Sequence, residues 1–94
     1  MNKSLSLGRQ VLSTQGVTAE MDNADVLECL ARHARCDWGD TCPADWKLND
    51  QCHQANEGRI ISAYSTINGR LWIITDGLGM DEYHHTTIML PEEY

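Results

Sequence analysis

Arg59-Ile60-Ile61-Ser62-Ala63-Tyr64-Ser65-Thr66-Ile67-Asn68-Gly69-Arg70-Leu71-Trp72-Ile73-Ile74-Thr75-Asp76 holds two β-rich runs around one Asn-Gly pair. Asn68 and Gly69 both tolerate the positive φ of a type I′ turn, so the stretch predicts a hairpin of Arg59 to Ser65 and Arg70 to Asp76. That register places Ile61, Ala63, Trp72 and Ile74 on one face and Ile60, Tyr64, Leu71 and Ile73 on the other. Apolar residues on both faces predict a central position in the sheet. After a loop over Gly77 to Tyr83, His84 to Leu90 reads as a third strand, ended by Pro91.

Upstream, Leu5 to Ser13 alternates weakly around Gly8 and suits an edge strand with a bulge. Thr14 to Met21 reads as a turn or a single helical turn. Asp22 or Asn23 caps a helix whose stripe Val26, Leu27, Leu30, Ala31 and Ala34 predicts its buried side. Cys29 lies beside the opposite, charged side, where Glu28 and Arg32 stand four apart as a favourable pair. Thr41 or Cys42 caps a second helix with Pro43 at its first position and Gly58 as its stop. Ala44, Leu48, Cys52 and Ala55 form its expected stripe, so Trp46 projects from roughly the opposite side with Asn49, Asp50 and His53 and either folds back under the Asp37 to Asp40 turn or is exposed. The expected fold is α+β: one domain over residues 1–94, an antiparallel sheet of about four strands, and two or three helices packed on one face.

The chain of 94 residues carries a formal charge of −7, unevenly spread. Residues 1–35 are neutral, residues 36–70 carry −2, and residues 71–94 carry −5 with no Lys or Arg. Such an end repels phosphate and anionic lipid, which argues against direct nucleic-acid or membrane binding and favours a basic partner. No stretch approaches the ~20 apolar residues of a membrane span. Met1 to Arg9 lacks the charged and apolar regions of a secretory signal, so the expected location is cytoplasmic and the cysteines are expected to be thiols.

Catalytic signatures are missing. The spacing Cys29-x6-Cys36-x5-Cys42-x9-Cys52 lacks the CxxC knuckles of a zinc site, so the thiols read as small buried residues, with a zinc-binding module as an alternative. His84 and His85 begin a strand and point to opposite faces, so they cannot share an ion. His33 falls in the last turn of its helix, where a charged imidazole complements the dipole; an ion pair with Asp37 is the other reading. Gly77-Leu78-Gly79 lacks the third glycine and following helix of a phosphate loop. No cofactor is expected, and no enzyme.

What remains is surface. Asp37, Asp40, Asp45, Asp50, Asp76, Asp81, Glu82, Glu92 and Glu93, with Trp46 among them, are the candidate partner-binding residues, and Trp46 or the Gly77 to Tyr83 loop supplies the apolar anchor. Trp38 reads as the buried anchor of the corner Asp37-Trp38-Gly39-Asp40.

That corner, preceded by Arg32-His33 and followed by Gly58-Arg59-Ile60-Ile61-Ser62-Ala63-Tyr64, Leu71-Trp72-Ile73-Ile74-Thr75 and Thr86-Thr87-Ile88-Met89-Leu90-Pro91-Glu92-Glu93-Tyr94, resembles a family of small bacterial proteins. Its members are carried on plasmids, phages and other mobile elements and are often labelled type I restriction subunit M or plasmid-related protein. The likeness covers most of residues 32–94. This chain departs from the family in its longer Gly77 to Tyr83 loop and in its four cysteines. The family brings no catalytic residue. Mobile-element origin and acidic charge together imply a non-enzymatic inhibitor of a host defence complex, most concretely an anti-CRISPR protein occluding a basic nucleic-acid-handling surface of a type I complex. The alternatives are an anti-restriction protein or a small regulatory binding module. The expected oligomeric state is a monomer or a weak homodimer.

Overall fold

The computed structural model describes residues 3–94. Its elements run β1 (Val11–Ser13), α1 (Gln15–Glu20), α2 (Asn23–Ala34), α3 (Pro43–Ala55), β2 (Gly58–Thr66), β3 (Gly69–Leu78), β4 (His85–Met89) and a 3₁₀ turn at Pro91–Glu93. The strands form one mixed sheet in the order β1-β4-β3-β2, giving an α+β fold. The β2-β3-β4 meander is antiparallel, whereas β1 joins β4 in parallel. Among the described residues no helix is long and apolar enough to cross a membrane.

The hairpin keeps the two expected faces, because Ile61 opposes Ile74, Ala63 opposes Trp72, and Tyr64 opposes Leu71. Its turn differs from the one the sequence predicts. Thr66 pairs with Gly69, so Ile67-Asn68 is the connection, and of the Asn-Gly pair only Gly69 has positive φ, at 115°. The hairpin is also not central: β3 is internal, while β2 is the last strand of the sheet. β3 runs on to Leu78, so the loop starts two residues later than Gly77.

The expected strand over Leu5 to Ser13 shrinks to Val11–Ser13. Leu5 is instead a core residue, with its N–H on the Ala34 carbonyl at 2.8 Å. Thr14 caps α1, and Asp22 caps α2 by accepting the Ala24 N–H at 2.9 Å.

Both longer helices are rotated from the expected phase. On α2 the buried residues are Val26, Cys29 and His33 with Leu30 beside them, whereas Leu27 and Ala31 are exposed. On α3 the inward residues are Asn49, half-buried Trp46 and Cys52, whereas Ala44, Leu48 and Ala55 face solvent. In each case one polar side chain, His33 or Asn49, finds hydrogen-bond partners inside and so costs little to bury.

α1 and α2 cover the sheet face of Tyr64, Leu71, Ile73 and Ile88. A second cluster of Leu5, Cys36, Trp38, Ile60 and Leu78 receives Trp46 and Cys52 from α3. α2 stops in a Schellman turn: the N–H of Asp37 reaches the Arg32 carbonyl at 2.9 Å, that of Cys36 reaches His33 at 3.1 Å, and Cys36 takes φ 65°. The chain then runs beside β2. The Trp38 carbonyl accepts the Ala63 N–H at 3.3 Å, and the Asp40 N–H returns to the Ala63 carbonyl at 2.7 Å. Two residues away, Asn49 donates Nδ2–H to the Ile61 carbonyl at 2.8 Å and accepts the Ile61 N–H at 3.4 Å. The outward amides of Ile61 and Ala63 are thereby occupied, and this edge cannot template another strand.

Candidate interaction surfaces

The predicted partner-binding residues divide into those spent inside the molecule and those that are not. Asp37 clasps Arg32 at 2.8 Å and accepts the Gly39 N–H at 3.0 Å. The Arg32 hydrogen bond first, then the Gly39 amide, holds its carboxyl below the usual carboxylate range. Arg32 is therefore not paired with Glu28 as the sequence predicts. Asp50 accepts the indole N–H of fully buried Trp38 at 2.9 Å, and Asp40 accepts the Ser65 hydroxyl at 2.6 Å. Asp76 holds Arg59 at 2.6 Å. Glu93 accepts the Thr14 hydroxyl at 2.6 Å and the Leu90 N–H at 2.8 Å, closing the C-terminal turn onto the start of α1. The Thr14 bond leads in lowering its pKa.

Asp45, Asp81, Glu82 and Glu92 are exposed and make no side-chain hydrogen bond or ion pair among the described residues. Of the two places open to Trp46, exposure is not the one it takes: it packs half-buried on the second cluster, which holds Trp38. The exposed aromatic residue beside unpaired carboxylates is Tyr83, in the Gly77 to Tyr83 loop that the sequence offers as the other source of an apolar anchor. Met80 and Tyr83 are 57% and 63% exposed and flank Asp81 and Glu82. Three backbone bonds fix this turn: Met80 N–H to Gly77 at 2.9 Å, Tyr83 N–H to Met80 at 2.7 Å, and His84 N–H to Met80 at 3.0 Å.

His33 does not cap the helix dipole and does not pair with Asp37. It is fully buried, with Nδ1 2.5 Å from Ser62 Oγ and Nε2 2.8 Å from Thr75 Oγ1. Thr75 Oγ1 lies 2.8 Å from Thr86 Oγ1, which donates to the Leu7 carbonyl at 2.9 Å. For a neutral ring one proton arrangement satisfies all these contacts: Ser62 donates to Nδ1, Nε2–H to Thr75, Thr75 to Thr86, and Thr86 to Leu7. It gives up only the 3.4 Å contact of Ser62 with the Ile73 carbonyl. Burial pushes the imidazole pKa down to about 4, which keeps the ring neutral near pH 7, and the relay then selects the Nε2–H tautomer. The relay ties α2 to β2, β3, β4 and the Leu7 segment.

The cysteines do not gather. Cys29 and Cys36 are buried, Cys52 is half-buried and Cys42 is exposed. Burial pushes the Cys29 and Cys36 thiols up. Among the described residues no three His, Cys, Asp or Glu side chains converge in a way that could hold a metal ion. His84 Nε2 meets the Ser6 carbonyl at 2.8 Å, and His85 Nδ1 meets that of Tyr83 at 2.7 Å.

The sheet face away from α1 and α2 carries two apolar rows, Leu12-Thr87-Ile74-Ile61 and Met89-Trp72-Ala63. Of these only Ile74 is buried. Tyr94 stacks edge-on to Trp72 at 5.4 Å and accepts from Arg59 at 2.8 Å. Beside it a groove of about 530 Å³ runs between this face and α3, floored by Ile61, Ala63 and Trp72. Arg59 and Arg70 line it along with Asp40 and Asp45, and Leu48 stands on its α3 side, 55% exposed.

No family model, curated protein or solved structure matches this chain, so its functional reading rests on these residues.

Proposed function

We propose that this protein is a non-enzymatic inhibitor that docks on a basic, nucleic-acid-handling surface of a host defence complex. An anti-CRISPR action against a type I complex is the most concrete form, followed by anti-restriction. One observation carries the reading: Met80-Asp81-Glu82-Tyr83 presents two carboxylates between two exposed apolar side chains on a backbone already fixed by three hydrogen bonds. Such a turn combines an aromatic anchor with steering charge and needs little ordering on binding. Its carboxylates would take the place of phosphate on lysine and arginine side chains. Glu92 and Asp45 add negative charge without partners among the described residues.

The buried His33 is not available as a general base. Both its ring nitrogens are committed to hydroxyls that are themselves buried, so no substrate proton lies within reach.

Capture from a bacterial lysate on the immobilised protein, followed by mass spectrometry, tests the proposal. A nucleic-acid-processing complex should be retained, released by raised salt, and lost with Asp81→Lys/Glu82→Lys and with Tyr83→Ala. Retention of no such complex, or retention that ignores both salt and these substitutions, would overturn it.

A further inference from the structure

The two edges of the sheet are treated differently. On β2 the outward amides of Ile61 and Ala63 are occupied by Asn49 and by the Trp38 and Asp40 backbone. On β1 no such cover exists among the described residues. The Gln10 carbonyl accepts the Thr86 N–H at 2.9 Å and the Thr14 N–H reaches the Ile88 carbonyl at 3.1 Å, so alternation turns the Leu12 amide groups toward β4 and those of Val11 and Ser13 away from it. These outward N–H and C=O groups have no hydrogen-bond partner among the described residues, and Val11, Leu12 and Ser13 are all exposed. Brevity alone blunts this edge, for it holds no lysine, proline or inward charge.

The open stretch is bounded on both sides. The Arg9 N–H goes to the His84 carbonyl at 2.8 Å while the Gln10 carbonyl serves Thr86, so two residues fill the place of one and a bulge ends the edge there. At the other end α1 begins at Gln15.

We propose that β1 pairs antiparallel with β1 of a second copy of this chain, about a twofold axis at Leu12. Val11 then opposes Ser13 of the other copy, and each such pair exchanges two backbone hydrogen bonds, four in all. An axis at Val11 or at Ser13 keeps one pair and half of the bonds, so the bounded edge itself selects the placement. Leu12, 48% exposed, meets Leu12 of the other copy in the closer, non-hydrogen-bonded kind of pair. Residues 10–14 carry no charge, so two copies do not repel along the strand and a charged partner strand gains nothing there. The two sheets become one, with the β1 strands at its centre.

Sedimentation of the purified full-length protein up to about 1 mM tests this, since so short a contact makes a weak dimer. A concentration-dependent dimer is expected, with amide NMR shifts on dilution confined to the β1 segment. Val11→Pro removes an outward N–H and spares the bonds to β4, a position at which an edge strand accepts proline. It should weaken the dimer at least about tenfold, as should Leu12→Lys, which sets two like charges face to face on the axis. Both side chains are exposed, so circular dichroism should show the variants folded; if Val11→Pro does not fold, Leu12→Lys carries the test. A protein still monomeric at about 1 mM overturns the proposal, as does a dimer that survives either substitution in a folded chain. A monomer whose capture of a lysate protein is lost with Val11→Pro also overturns it and gives the edge to a strand of that protein. Neither variant alters residues 80–83, so lysate capture through Tyr83 is tested separately.

Discussion

Asn49 of α3 and Ile61 of β2 form a two-bond bracket: the side-chain amide donates to the Ile61 carbonyl at 2.8 Å and accepts its N–H at 3.4 Å. A side chain here does what a neighbouring strand would do. Together with the Trp38 and Asp40 backbone it completes the edge of a four-stranded sheet without adding a fifth strand.

Asn49→Leu keeps the approximate volume but leaves both Ile61 amide groups without partners. A loss of about 1–3 kcal/mol is expected from urea denaturation, with increased self-association on gel filtration as the edge opens. An unchanged midpoint would show that water replaces the bracket at no cost.

The His33 relay makes stability depend on pH in a defined direction. The folded imidazole has a pKa of about 4 against 6.5 for the ordinary value, so between these pH values the unfolded chain binds the extra proton. Stability from this group is fully present above pH 6.5 and falls as pH drops toward 4, by on the order of 3 kcal/mol. His33→Leu should be less stable at pH 7 but lose that slope. Nitrogen NMR should show His33 as the neutral Nε2–H tautomer at pH 6.5, with protonation setting in only as pH falls toward 4.

Two glycines with positive φ should respond differently to alanine. At Gly39 (φ 67°) an added Cβ would meet the Ala63 carbonyl oxygen at 2.1 Å, where the chain crosses β2. Gly39→Ala should cost about 3 kcal/mol or more, from a strained backbone and a broken edge contact. At Gly69 (φ 115°) nothing lies within 4 Å, so Gly69→Ala should cost about 1 kcal/mol from the backbone alone. Thermal denaturation of the two variants checks the ranking.

Thiol labelling should follow burial. Cys42 is expected to react first with an aromatic disulfide reagent and Cys52 next, while Cys29 and Cys36 wait for unfolding. In denaturant all four should react together. Early labelling of Cys29 would contradict its place among Val26, Tyr64 and Ile73.

The helix phases show where sequence reasoning stops. Counting apolar residues sends Leu27 and Leu48 inward and His33 and Asn49 outward, because a polar side chain is costly to bury without a partner. Here the partners come from other elements: Ser62 and Thr75 for His33, and the Ile61 backbone for Asn49. With those bonds available, burying the histidine and asparagine is cheap, and both helices turn accordingly. The same holds for the acidic surface, where Asp37, Asp40, Asp50, Asp76 and Glu93 are held by groups contributed through folding.

Neighbours along the chain specify the hairpin and its two faces, the Asp22 and Pro43 helix starts, the corner at Gly39 and the unequal spread of charge. Strand alternation and helix caps are short-range, so a few residues specify them. Contacts between distant residues set the strand order, the parallel pairing of β1 with β4, the burial of His33, the half-burial of Trp46, and which carboxylates stay unspent. Each of those turns on which distant groups meet, and a buried polar group takes its cost from its partner rather than from its own type.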